Sequence, residues 1–90
     1  MLDDDIIPTM AIEAVPFAPS RNIKSVAHDA DAMTLYVRFQ NNKVYRYPGV
    51  TGETADGFGQ ALSAHSYLRQ FVDTITPGEI IPEEDTPKGV

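Results

Sequence analysis

Between Thr34 and Tyr47 the chain alternates between apolar and polar positions. Leu35, Val37 and Phe39 are interleaved with Tyr36, Arg38 and Gln40, the period of two expected of a strand with one buried face. Asn41 and Asn42 follow, residues that tolerate a positive φ, and Val44, Tyr45, Arg46 and Tyr47 then read as a return strand. Two hairpin registers compete. A two-residue turn pairs Phe39 with Val44 and puts Arg46 on the face of Leu35, Val37 and Phe39. A three-residue loop, Gln40 to Asn42 with Asn42 left-handed, pairs Phe39 with Lys43, Val37 with Tyr45 and Leu35 with Tyr47. The second is preferred, because an unpaired buried guanidinium costs several kcal/mol, on the order of the stability of a small domain. It leaves Tyr36, Arg38, Val44 and Arg46 on the opposite face.

The flanks extend this ribbon. Ser20 to His28 reads as a strand anchored by Ile23 and Val26, with Asp29 to Met33 as the turn into the hairpin. Pro48 and Gly49 end the second hairpin strand, and Thr51 is placed to cap a helix with Glu53 in its first turn. Ala55, Phe58, Gly59 and Leu62 follow helical spacing, so the pattern predicts one apolar stripe as far as Leu62. Gly57 and Gly59 weaken that helix by about 1 kcal/mol each, and Gly59, lying on the stripe, is expected to let it approach the sheet closely. Leu68, Phe71, Val72 and Ile75 predict a second short helix, capped by Ser63 or Ser66 and ended by Pro77 and Gly78.

The two ends differ in composition from the middle. Residues 1–19 form a Pro-containing acidic arm with four acids and no base, in which Met10, Ile12 and Ala14 alternate as in a short strand. Ile6, Ile7, Met10, Ile12, Val15 and Phe17 are too many apolar side chains for an idle arm, which is expected to pack on its own sheet or on a second copy. Residues 20–76 form the domain, and 77–90, rich in acid and proline, read as a solvated tail. The expectation is an α+β fold: a small antiparallel sheet of three or four strands with two short helices on one face. A marginal core and an apolar arm point to a dimer or higher oligomer.

Charge and cysteine content narrow the function. The net charge is -6, yet residues 20–75 hold six bases against five acids, so the acid lies in the ends. This argues against strong nonspecific duplex binding but leaves room for a local basic face. There is no cysteine for a disulfide or a thiolate metal site, and no stretch approaches the roughly 20 apolar residues that span a bilayer. The reading is a soluble cytoplasmic protein of a bacterium or a phage-infected host, with no membrane partner and no cofactor.

With these elements laid out, residues 20–75 resemble the KTSC domain, a module named for its occurrence at the C-terminus of some lysyl-tRNA synthetases and also present as small free-standing bacterial and phage proteins. The resemblance rests on Ser20 with Ile23, on Leu35, Val37 and Phe39, on Tyr45, Arg46 and Tyr47, and on Ala61 with Ser63. The chain departs from the family pattern at His65, where glycine is usual, and in using Asn41 and Asn42 for the turn. RNA binding has been proposed for the family from domain context.

The candidate binding residues are Tyr36, Arg38, Tyr45, Arg46, Tyr47, Ser63, His65 and Arg69. Tyrosine rings can stack a base, and arginine, serine and histidine can hold a phosphate. Ser63, His65 and Asp73 supply the residue types of a nucleophilic triad, and His28 with His65 those of an acid–base pair, but no spacing enforces either geometry. The expectation is a non-enzymatic module binding RNA or a signalling nucleotide. The alternative is a protein-interaction module, such as a phage-encoded inhibitor or accessory protein, whose acidic arms meet a basic partner or mask the domain's own arginines.

Overall fold

A computed structural model describes residues 12–90. Five strands form one antiparallel sheet in sequential order: β1 (Ile12–Ala14), β2 (Ile23–Asp29), β3 (Thr34–Phe39), β4 (Val44–Pro48) and β5 (Glu79–Ile81). Between β4 and β5 lie α1 (Gly52–Asp56), a 3-10 turn (Gly57–Gln60), α2 (Ala64–Tyr67) and a π turn (Leu68–Val72). The α+β class holds, with five strands where three or four were expected. The extra pairings come from the two ends, since β1 adds to β2 and β5 to β4. Ile6, Ile7 and Met10 of the arm lie outside the described residues, whereas Val15 is in the core and Phe17 packs against it.

The hairpin adopts the three-residue loop. Val37 pairs with Tyr45 and Leu35 with Tyr47, Asn42 has a φ of 71°, and Phe39 N donates to Lys43 O at 2.9 Å. In β2 the register shifts between Ile23 and Ser25, so Lys24 is the extra residue of a bulge. Ile23 and Val26 are three apart and could not share a face of a regular strand; the bulge turns both into the core. Ahead of it, Ser20 Oγ accepts from the backbone N–H of Asn22 and of Ile23, which folds the entry to β2.

The core lies between the sheet and the helices: Ile23, Val26, Leu35, Val37 and Tyr47 from the strands, Ala55, Phe58, Ala64, Leu68 and Val72 from the helical segments. Thr51 caps α1 by accepting from Thr54 N, and Ser63 caps α2 by accepting from Ser66 N. The predicted stripe stops short of Leu62, which is 99% exposed. The first helix ends in the 3-10 turn and Ala61 is extended, so the helical phase is lost before Leu62. Likewise the π turn moves Phe71 outward against Tyr67, at 4.8 Å between ring centres, and Ile75 is 64% exposed.

Two further expectations are corrected. Gly57, rather than Gly59, is the close-approach glycine. A Cβ on Gly57 would fall on the Tyr67 hydroxyl, which is fixed by donation to Thr54 O at 2.7 Å, while one on Gly59 would meet only Pro16 at ordinary contact distance. Nor is the whole of the C-terminal segment solvated. Beyond Gly78, which lies against the Tyr47 ring, Glu79 and Ile81 alternate onto the sheet face opposite the helices, with Ile81 buried, and Glu83, opening a 3-10 turn (Glu83–Asp85), reaches Arg38 on that face. Acid and proline disguised that alternation. Among the described residues no helix is long and apolar enough to cross a membrane.

Candidate functional site

Because side chains alternate along a strand, the candidate residues divide between two faces. Tyr36, Arg38 and Arg46 project away from the helices; Tyr45 and Tyr47 project toward them. This is the division that the three-residue hairpin loop dictates, and each face has its own chemistry.

On the face away from the helices the two arginines meet acids from the C-terminal segment. Arg38 Nη1 and Nη2 donate to Glu83 Oε1 and Oε2 at 3.0 and 2.8 Å, a two-point fork. Its Nε donates to Val90 O and its Nη1 also to Asn42 O, each at 3.0 Å. The hydrogen bond from Arg38 holds the Glu83 carboxyl below the usual range, and the reciprocal bond raises the guanidinium. Arg46 donates from Nε and Nη2 to Glu79 Oε2 at 3.0 and 2.9 Å. Tyr36, half-buried, sits in the cross-strand row between Ala27 and Arg46.

On the helix side a series of aromatic rings runs to the edge of the sheet. Tyr47 stacks on Tyr45 at 6.5 Å, Tyr45 meets Phe39 edge-on at 5.3 Å, and Phe39 meets His65 edge-on at 6.5 Å. Tyr47 is buried, and burial, helped by the charge of Asp73, pushes its hydroxyl pKa up; Tyr45, Phe39 and His65 are half-buried. The exposed end opens into a shallow groove of about 290 Å³ lined by Arg21, Asn22, Phe39, Gln40, Asn41 and His65. Asn22 Nδ2 donates to His65 Nδ1 at 3.3 Å, which leaves Nε2 as the protonated nitrogen of the neutral ring.

Of the remaining candidates, Ser63 is spent as the α2 cap, and Arg69 lies exposed beside Ser66 and Gln70, four residues beyond His65. His28 is buried in β2 and donates from Nε2 to Val50 O at 2.7 Å, which makes it a structural tie between the sheet and the segment before α1. Among the described residues no three His, Asp or Glu side chains gather to hold a metal ion. Sequence reasoning passed over Arg21, Asn22, Gln40 and Asn41. The signal was Ser20, whose turn brings Arg21 and Asn22 to the mouth of the hairpin loop. It also passed over Glu79 and Glu83, which reach Arg46 in β4 and Arg38 in β3.

Comparison with known proteins follows from this geometry. The KTSC domain family matches residues 19–74, more than half of the chain. A search of curated proteins returned no match. Among solved structures, the crystal structure of a KTSC domain protein from Yersinia pestis superimposes with a TM-score of 0.69 at 22% sequence identity, covering 80% of this chain and 100% of that one. That likeness carries the fold, and the family match accounts for β2, β3, β4 and the helical segments, with β1 and β5 lying outside it. The chain belongs to the KTSC domain family.

Proposed function

We propose that this protein is a non-enzymatic binding module of the cell interior for single-stranded RNA or a nucleotide. The observation that carries the reading is the ring series ending in Phe39 and His65 at a groove that also holds Arg21 and the amides of Asn22, Gln40 and Asn41. Half-exposed rings offer stacking to any base, worth about 1–3 kcal/mol per base, while amides meet base edges and a guanidinium meets phosphate. The reading moves the contact surface from Arg38 and Arg46, whose donors are taken by Glu83 and Glu79, to the helix-side groove. Titration of single-stranded RNA and a panel of mono- and cyclic nucleotides at low salt tests it. Binding that weakens in Arg21→Ala and His65→Ala supports it, and no binding tighter than millimolar ends it.

A second reading, a protein-interaction module that forms oligomers or engages a partner, is favoured by a different observation. Leu62 and Phe71, 99% and 51% exposed, line an open groove of about 570 Å³ with Ala61 and Tyr67. The solution mass of the wild type beside Leu62→Ser and Phe71→Ser separates the two readings: an oligomer that dissociates in these variants assigns the groove to self-association.

A further inference from the structure

We propose that the β4 edge, together with Arg46 and Arg38, is a docking site for an extended acidic peptide, and that residues 79–90 occupy it as an internal ligand that an external peptide of the same chemistry displaces. The site is distinct from the ring groove, because its arginines point to the opposite face of the sheet.

The internal contact defines what the site reads. β5 pairs antiparallel with β4 through Val44, Tyr45 and Arg46, so the main chain supplies strand addition. Glu79, Ile81 and Glu83 then fall on one face: the first carboxylate meets Arg46, the aliphatic side chain is buried between them, and the second carboxylate forms the fork with Arg38. The matching partner is an extended segment with an acid and an aliphatic residue at alternate positions, followed by a turn that carries a second acid.

Three observations make this an exchangeable ligand. The segment lies beyond residues 19–74, the part of the chain that the family match covers. The hold is light: β5 pairs over only three residues, and the side chains of Glu79 and Glu83 are 57% and 72% exposed, in the regime where ion pairs add little to stability. Finally, Ser25 Oγ is buried without a hydrogen-bond partner, and Ser25 lines the open groove of about 620 Å³ formed by Lys24, Arg38, Asn42, Glu83 and Val90. The internal segment leaves that hydroxyl unused beside the arginine it occupies, where a better-fitting peptide would meet it.

The test uses the full chain and a fluorescent peptide of residues 76–86, beside a control peptide carrying Gln at the two Glu79 and Glu83 positions. The double variant E79Q/E83Q, with its internal ligand weakened, is expected to bind the acidic peptide at least about tenfold tighter than the wild type, a difference of about 1.4 kcal/mol. Adding Arg38→Ala is expected to abolish that gain, and the Gln peptide is expected to bind at least about tenfold more weakly than the acidic one. Amide NMR on the wild-type chain keeps the proposal falsifiable should the variant misfold: excess acidic peptide is expected to move the Glu79 to Glu83 resonances to unpaired positions. Equal binding of both peptides, or Glu79 to Glu83 resonances unmoved by millimolar acidic peptide, would overturn it.

Discussion

Arg38 and Glu83, 45 residues apart in sequence, face each other with both carboxylate oxygens engaged at 3.0 and 2.8 Å. The arginine side chain is 13% exposed and the glutamate 72%, so the cation is the enclosed partner and the acid the one that faces solvent. The hydrogen bond depresses the Glu83 pKa, so its contribution to stability is present above the ordinary glutamate value and is lost as the pH falls through the depressed one. A carboxyl-resolved NMR titration is expected to place Glu83 below the ordinary range, and Arg38→Ala to return it there. A Glu83 titration unaffected by Arg38→Ala would refute the coupling.

Tyr47 carries the opposite sign. Burial raises its pKa first, with the charge of Asp73 adding to the effect, so the neutral hydroxyl belongs to the folded state. Its contribution is full below the ordinary tyrosine value of about 10 and is lost as the pH climbs through the raised one. Tyrosinate absorbance is expected to show a late-ionising group that vanishes in Tyr47→Phe, coupled to alkaline unfolding.

Gly57 and Gly59 separate steric from conformational need. Gly57→Ala puts a methyl on the Tyr67 hydroxyl and is expected to destabilise by about 1–3 kcal/mol. Gly59→Ala meets only ordinary contact with Pro16 and is expected to be neutral or stabilising by up to about 1 kcal/mol. Denaturant midpoints of the two variants check this, and equal losses would contradict it.

Phe58 and Leu62 stand at helical spacing in sequence but at opposite extremes of exposure, 0% and 99%. Phe58→Ala is expected to cost about 3–5 kcal/mol, a large part of a small domain's stability. Leu62→Ser is expected to stay within about 0.5 kcal/mol in the monomer. Thermal melts at low concentration read both.

The hairpin was legible because burial of a charge separates its two registers by several kcal/mol, leaving a single acceptable solution for Val37, Tyr45 and Arg46. The caps at Thr51 and Ser63 were legible because each is a local bond between a hydroxyl and an N–H three residues on. The helical phase was not, since a 3-10 turn and a π turn change the residues per turn without any mark in composition, and Leu62 and Phe71 turned outward. Of the candidate surface, the faces taken by Tyr36, Arg38, Tyr45 and Arg46 were legible from the hairpin register, but Glu79 and Glu83 act across more than 30 residues of sequence, beyond the reach of any local pattern.

Strand β5 enters the sheet only after the chain has passed through α1 and α2. On an emerging chain, β2, β3 and β4 are available to pair through short turns while one flank of β4 is still bare, and closing that flank requires a loop of some thirty residues. Assembly thus has an interval in which Tyr45 and its neighbours offer unpaired backbone to whatever strand arrives first.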